Sequence, residues 1–144
     1  AGPTREIRLN VSTDQRILGS AIELRSAIDN LLVNALKYSE GPVTLSWAET
    51  VVGPALAVED TGPGIESKHI PRLTERFYRV DKSRSQATGG TGLGLAIVKH
   101  VAVSHEAKLF VDSEVGKGSC FRLVFPNDRV CMPSDGAHAP SMTI

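Results

Sequence analysis

Four glycines fall between Gly89 and Gly94 in the stretch Thr88-Gly89-Gly90-Thr91-Gly92-Leu93-Gly94-Leu95, which runs into Ala96-Ile97-Val98-Lys99-His100. Glycines let a backbone approach a ligand closely. The first turn of a helix offers unpaired N–H groups and a partial positive charge. A glycine loop feeding a helix is therefore chemistry for holding phosphate, and the sequence predicts that this stretch grips a nucleotide. A dinucleotide fingerprint needs a strand just before the loop and an acidic residue about 20 positions after it. Here the polar, basic Asp81–Thr88 precedes it, which disfavours that reading. Gly116-Lys117-Gly118-Ser119 is no P-loop either, because a glycine separates the lysine from the hydroxyl and a strand follows. Taken alone, the glycines could still serve only a turn.

Asn30 and Asn34 stand four apart and share a helix face, with Lys37 and Tyr38 one turn on. Asparagine is a poor helix former and costly to bury unpaired. A polar ligand would relieve that cost, and an amide oxygen suits Mg²⁺, which binds mainly through phosphates and water. Two solvated surface amides are the alternative. Asp60 ends an apolar strand before Gly62-Pro63-Gly64, where its carboxylate either caps a turn or accepts a hydrogen bond from a buried donor such as an adenine amino group. Lys82 and Arg84 either meet phosphate or are simply solvated. His69, His100, His105 and His138 show no metal-ligand spacing, and no Ser-His-Asp arrangement follows from sequence order.

The elements that must position these residues follow from period. Arg5–Val11 alternates as a half-buried strand would, and Arg16–Gly19 is a shorter candidate. Ala21–Tyr38 has helical spacing through Leu24, Ile28, Leu31, Leu32 and Ala35, and Gly41-Pro42 stops it. Val43–Ala48 and Ala55–Val58 read as a hairpin. A short helix is predicted over Lys68–Arg76, and Arg79–Thr91 as a polar loop of the kind that forms lids. A second long helix runs from Gly94 to about His105, with Leu93, Ile97, Val98 and Val101 on one side, followed by strands at Lys108–Asp112 and Ser119–Phe125. Arg129–Ile144 has no period and is expected to be poorly ordered, so 1–128 is predicted as one domain and 129–144 as a tail. Strands and helices mixed with hairpin-like pairs predict an α+β layout, helices on one face of a sheet.

The 144 residues carry 16 basic and 16 acidic side chains. Zero net charge argues against a nucleic-acid binder that works through a general basic surface. Cys120 and Cys131 resemble no zinc framework and are expected to be free thiols in a reducing cytosol. No apolar run approaches the length of a membrane span.

From about residue 4 to 126 the order of these stretches resembles the ATP-binding catalytic domain of bacterial two-component sensor histidine kinases. Asp29–Ser39 matches the N box, Val58–Ile65 the first glycine box, Glu75–Arg79 the F box, Gly90–Lys99 the second glycine box and Gly116–Phe121 the third. The resemblance implies the Bergerat two-layer α/β sandwich, a mixed and mostly antiparallel sheet with helices on one face and a mobile ATP lid. It implies ATP and Mg²⁺ as cofactors. Asp60 would bind the adenine amino group with support from Ser119, and Tyr38 would pack on the base. Asn34 would coordinate Mg²⁺ with Asn30 beside it, and Lys37 would reach the phosphates. These three residues, Asn30, Asn34 and Lys37, would form the catalytic set. Gly62, Gly64, Ile65, Gly90, Thr91, Gly92, Leu93, Gly94 and Leu95 would form hinges and walls of the pocket. Arg79, Lys82 and Arg84 would lie in the lid, with Phe77 anchoring its entrance. The family often has glycine soon after the histidine that ends its second helix, where this chain has Glu106-Ala107.

None of the four histidines has the setting of the family's phosphoacceptor, a histidine followed by an acidic residue in a helical hairpin. The substrate histidine is therefore expected on a separate dimerisation and phosphoacceptor domain, and a response regulator would be an indirect partner. The fragment itself is expected to be monomeric, a cytoplasmic part of a membrane-anchored sensor. Two rival readings remain. ATPases of the gyrase and MutL kind have glutamate where Asn30 stands, to activate water, and asparagine cannot act as that base. A nucleotide-binding module that has lost catalysis is the third reading.

Overall fold

The computed structural model describes residues 6–78 and 93–131. Seven strands and two helices occur there: β1 (Ile7–Val11), β2 (Arg16–Ile17), α1 (Ala21–Tyr38), β3 (Val43–Glu49), β4 (Pro54–Asp60), α2 (Gly94–Ser104), β5 (Lys108–Glu114), β6 (Gly118–Val124) and β7 (Val130–Cys131). Five strands form one sheet in the order β1-β3-β4-β6-β5. Only the β1–β3 pair is parallel within it, and the other pairs are antiparallel. α1 and α2 pack on each other and over β3, β4 and β5. This is the mixed, mostly antiparallel α/β sandwich expected from the sequence.

Alternation decides which side chains meet the helices. Leu56 and Val58 of β4 and Phe121 and Leu123 of β6 are buried, with Leu45, Trp47, Leu109 and Val111 packed against them. The cross-strand register carries the same face one step further, to Asp60, Ser119 and Ser113, which lie directly opposite one another. The apolar rows of the core thus end in a polar row.

Helix α1 buries Leu24, Ala27, Leu31 and Ala35, with Ile28, Leu32 and Leu36 flanking them. Its N-cap Ser20 accepts the Glu23 N–H at 3.2 Å, which satisfies one donor of the first turn. The Ser20 N–H donates to Nε2 of His105 at 3.0 Å. Nδ1 of that ring lies 2.8 Å from the Val101 carbonyl, to which it donates. His105 is only 3% exposed, and its ring joins the end of α2 to the start of α1 inside the core. Replacing it with alanine is expected to cost about 3 kcal/mol, from a cavity and an orphaned N–H. Thermal melting of His105→Ala checks this.

Several sequence expectations are corrected. β1 is not half-buried. All five of its residues are exposed, Leu9 by 70%, because the helices pack over its neighbours and not over this edge. In α2, Val98, Val101 and Ala102 are buried while Ile97 is exposed. The helix expected over Lys68–Arg76 is a shorter 3-10 turn at Ser67–Arg72 that contains Pro71, a residue with no N–H to extend an α-helix. Glu106, where the family often has glycine nearby, takes the left-handed conformation itself at φ 57°. The Ala107 N–H reaches the Ala102 carbonyl at 2.8 Å, so the helix-ending turn is kept. The carboxylate of Glu106 is met by Arg129 at 3.3 Å.

Packing also continues past 128, as far as Cys131. Arg129 donates to the Leu18 carbonyl at 2.9 Å, and β7 pairs antiparallel with β2 through Ile17 and Val130. A two-residue strand has no readable period, so only its partner reveals it. Residues 132–144 lie outside the described part.

Candidate nucleotide site

Asn30, Asn34, Lys37 and Tyr38 are all half-buried along α1, so the asparagines are not simply a solvated surface. The Asn30 Nδ2 donates to the Ser26 carbonyl at 2.8 Å. Its Oδ1 faces Gly94, where a Cβ would stand 3.0 Å away. The second glycine box therefore starts its helix against the N box. Leu93 stands at the N-cap and Leu95 packs against the core. Lys37 lies in the last turn of α1, where a cation also suits the helix's negative end.

Asp60 closes the other side. It is 8% exposed at the end of β4. Its Oδ1 accepts the Gly62 N–H at 2.9 Å, and the Ser119 backbone N–H also bonds the carboxylate. Burial raises its pKa above the ordinary 3.8, the two amides oppose that rise, and Glu59 adds to it. Support from Ser119 thus comes through its main chain, while its hydroxyl turns to Ser113 at 2.7 Å.

The turn after Asp60 is pressed between the two layers. A Cβ on Gly62 would collide with the Tyr38 carbonyl at the end of α1. Gly64 has φ +78°, and a Cβ there would strike the Glu114 main chain. The Ile65 N–H donates to Ser113 Oγ at 2.7 Å, and its side chain packs on the core. The structure therefore brings together two groups of expected site residues. Gly62, which holds Asp60 together with Ser119, meets the C-terminal end of α1 at Tyr38, and Gly94 meets Asn30.

Phe77 is exposed by 64% with φ 68°, and the Arg76 guanidinium lies 5.7 Å from its ring. Tyr78 beside it is held by a hydrogen bond to His69 Nδ1 and by Arg72 over its ring at 4.4 Å. Arg79, Lys82, Arg84, Gly90, Thr91 and Gly92 lie outside the described residues. Sequence reasoning missed Ser113 altogether. Its signal was parity: continuing the alternation of Leu109 and Val111 by one step puts Ser113 on the inner face.

The residues present fit Mg²⁺ of the kind expected. Among the described residues no three His, Cys, Asp or Glu side chains group together as a metal cage. The hard oxygens offered on α1 are neutral amides, donors suited to an ion that takes most of its ligands from phosphate and water.

Comparison with known proteins gives the same class. The model of the histidine kinase-, DNA gyrase B- and HSP90-like ATPase family matches residues 19–129. The chain belongs to this family, whose mark is ATP binding. It is 52% identical over 127 residues to the phosphate regulon sensor protein PhoR of Pseudomonas aeruginosa, covering 87% of this chain and 29% of that protein. It is 44% identical over 123 residues to the sensor-like histidine kinase SenX3 of Mycobacterium tuberculosis, covering 84% of this chain and 30% of that one. The chain thus spans about a third of the length of these relatives. Among solved structures, the mycobacterial sensor histidine kinase MprB superposes with a TM-score of 0.72 at 32% identity, covering 84% of this chain and 80% of that one. Full-length ShkA, solved in complex with AMPPNP, gives 0.72 at 33% identity, covering 84% of this chain and 25% of that one.

Proposed function

We propose that this chain is the catalytic part of a two-component sensor histidine kinase: it binds Mg²⁺-ATP and transfers the γ-phosphate to a histidine on a separate dimerisation and phosphoacceptor domain. The observation that carries the reading is the buried Asp60 carboxylate, held by two backbone amides where the turn after β4 is pressed on the end of α1. A buried carboxylate ready to accept a hydrogen bond suits the adenine amino group, and Tyr38 is proposed to pack on the base. Phosphoryl transfer needs mostly positioning and charge neutralisation. Lys37 and the α2 N-terminus supply positive charge, and Lys82 and Arg84 are proposed to add to it. Asn34, with Asn30 beside it, would hold Mg²⁺, which neutralises phosphate charge when bound.

Asn30 stands where a water-activating glutamate would make this an ATPase, and an amide cannot take a proton from water. His105 is followed by Glu106, yet its ring is buried and both nitrogens are hydrogen-bonded, so it offers no nitrogen to phosphate. None of the four histidines is followed by an acidic residue in a helical hairpin, so the acceptor histidine is proposed to lie on another domain or chain, and a response regulator would draw on it in turn. Among the described residues no helix is long and apolar enough to cross a membrane, and a membrane anchor would lie elsewhere in a sensor of this kind. Calorimetric titration with Mg²⁺-ATP and Mg²⁺-GTP is expected to show binding of the adenine nucleotide only. Labelled ATP should then phosphorylate an added phosphoacceptor domain while hydrolysis alone stays slow. Fast ATP turnover without that domain would favour the ATPase reading, and binding with neither activity would favour an inactive module.

A further inference from the structure

The hydroxyl of Ser113 sits where three segments of the site meet. It accepts the Ile65 N–H at 2.7 Å, from the residue that ends the Gly62-Pro63-Gly64 turn. It lies 3.1 Å from the Gly118 carbonyl and 2.7 Å from Ser119 Oγ. One arrangement satisfies every partner: Ser119 Oγ–H donates to Ser113, which donates to Gly118 and accepts from Ile65. Ser113 is also opposite Ser119 in the β5–β6 register, and Ser119 is opposite Asp60. The Gly116 N–H adds a second tie to the same turn through the Pro63 carbonyl at 2.8 Å.

Both amides that hold the Asp60 carboxylate belong to the segments joined here. Gly62 is in the turn that Ile65 ends, and Ser119 follows Gly118 at the start of β6. We propose that Ser113 is a positioning residue for Asp60: its hydroxyl locks the Gly62–Ile65 turn to the β5–β6 hairpin and so fixes the two amides that aim the carboxylate at the base. The consequence for nucleotide binding rests on the reading of Asp60 given above. Ser113 touches no nucleotide in this account and acts through the main chain around Asp60.

The test is a double-mutant cycle in ATP affinity with Asp60→Asn, together with the titration of the Asp60 carboxyl in nucleotide-free protein by carbon-13 NMR. Ser113→Ala is expected to weaken ATP binding about tenfold, the effect of one lost hydrogen-bond anchor. It should cause no further loss once Asp60 is asparagine, and the Asp60 carboxyl should titrate at higher pH in Ser113→Ala than in the wild type. Ser113→Thr, which keeps the hydroxyl, should restore both readouts. Should Ser113→Ala fail to fold, Ser113→Cys, near in shape but a weaker hydrogen-bonding partner, decides by the same measurements. The proposal is overturned if the carboxyl titration does not move, or if Ser113→Ala loses the same factor with and without the Asp60 carboxylate. If Asp60→Asn binds ATP as the wild type does, the reading of the base site fails. The carboxyl titration, which needs no ligand, still decides the part played by Ser113.

Discussion

Asn34→Ala is expected to remove Mg²⁺-dependent phosphotransfer, by about a hundredfold or more, while the fold stands. The loss follows from asking one neutral amide to place the ion that neutralises the phosphates in a reaction where positioning and charge do most of the work. The fold should stand because Asn34 is half-buried beside the core stripe and not in it. Alanine is also the better helix former by about half a kcal/mol, which offsets lost contacts. The measurement is transfer of labelled phosphate to a separate phosphoacceptor domain, set beside the melting temperature and the gain in ATP affinity on adding Mg²⁺. Wild-type transfer by the mutant would remove Asn34 from the metal role. A collapsed melting temperature would instead make it a structural residue.

Asp60→Asn should weaken adenine-nucleotide binding about 10- to 100-fold, the range for a hydrogen bond to a charged group. A carboxylate has two acceptor oxygens, and at this site two backbone amides and an incoming amino group all require acceptors. An asparagine amide has one such oxygen and a competing NH₂. Stability without nucleotide should change much less, because removing a buried charge offsets the loss of an acceptor. The pH dependence follows from the raised pKa. Burial favours the protonated form in the folded protein, so the carboxylate fills with protons as pH falls through a value above the ordinary 3.8. Base affinity should fall over that same window, and Asp60→Asn should lose the dependence. The linked stability term has the opposite sense: it is present at low pH and lost as pH rises through the raised value. Calorimetric titrations across an acid pH series check both. Equal ATP affinity in mutant and wild type would take Asp60 out of the base site.

Much of this site was legible in the chain. The helical period of Ala21–Tyr38 and the i, i+4 spacing of Asn30 and Asn34 place both amides beside one buried stripe, and helix α1 has the bounds that period gives. Asp60 at the end of an apolar strand before Gly-Pro-Gly was legible for the same local reason. Other features were not. The exposure of Ile7, Leu9 and Val11 depends on how far a helix layer extends across a sheet, which no period encodes. Glu106 in a left-handed conformation contradicts its local preference, and the turn that ends α2, with Arg129 at its carboxylate, holds it there. The Ser113 hydroxyl reads as one more polar residue in a strand until the register sets it opposite Ser119.

By itself, then, the sequence determined the two long helices and the main strands, the order of the boxes and the residue types offered to a nucleotide, because these depend on near-neighbour period and chemistry. Tertiary structure alone decided which boxes touch. Asn30 meets the start of α2 at Gly94, Gly62 is pressed on the end of α1 at Tyr38, and Asp60, Ser119 and Ser113 line up across three strands. Those contacts join residues far apart in the chain, and strand register and helix packing, not local preference, fix them.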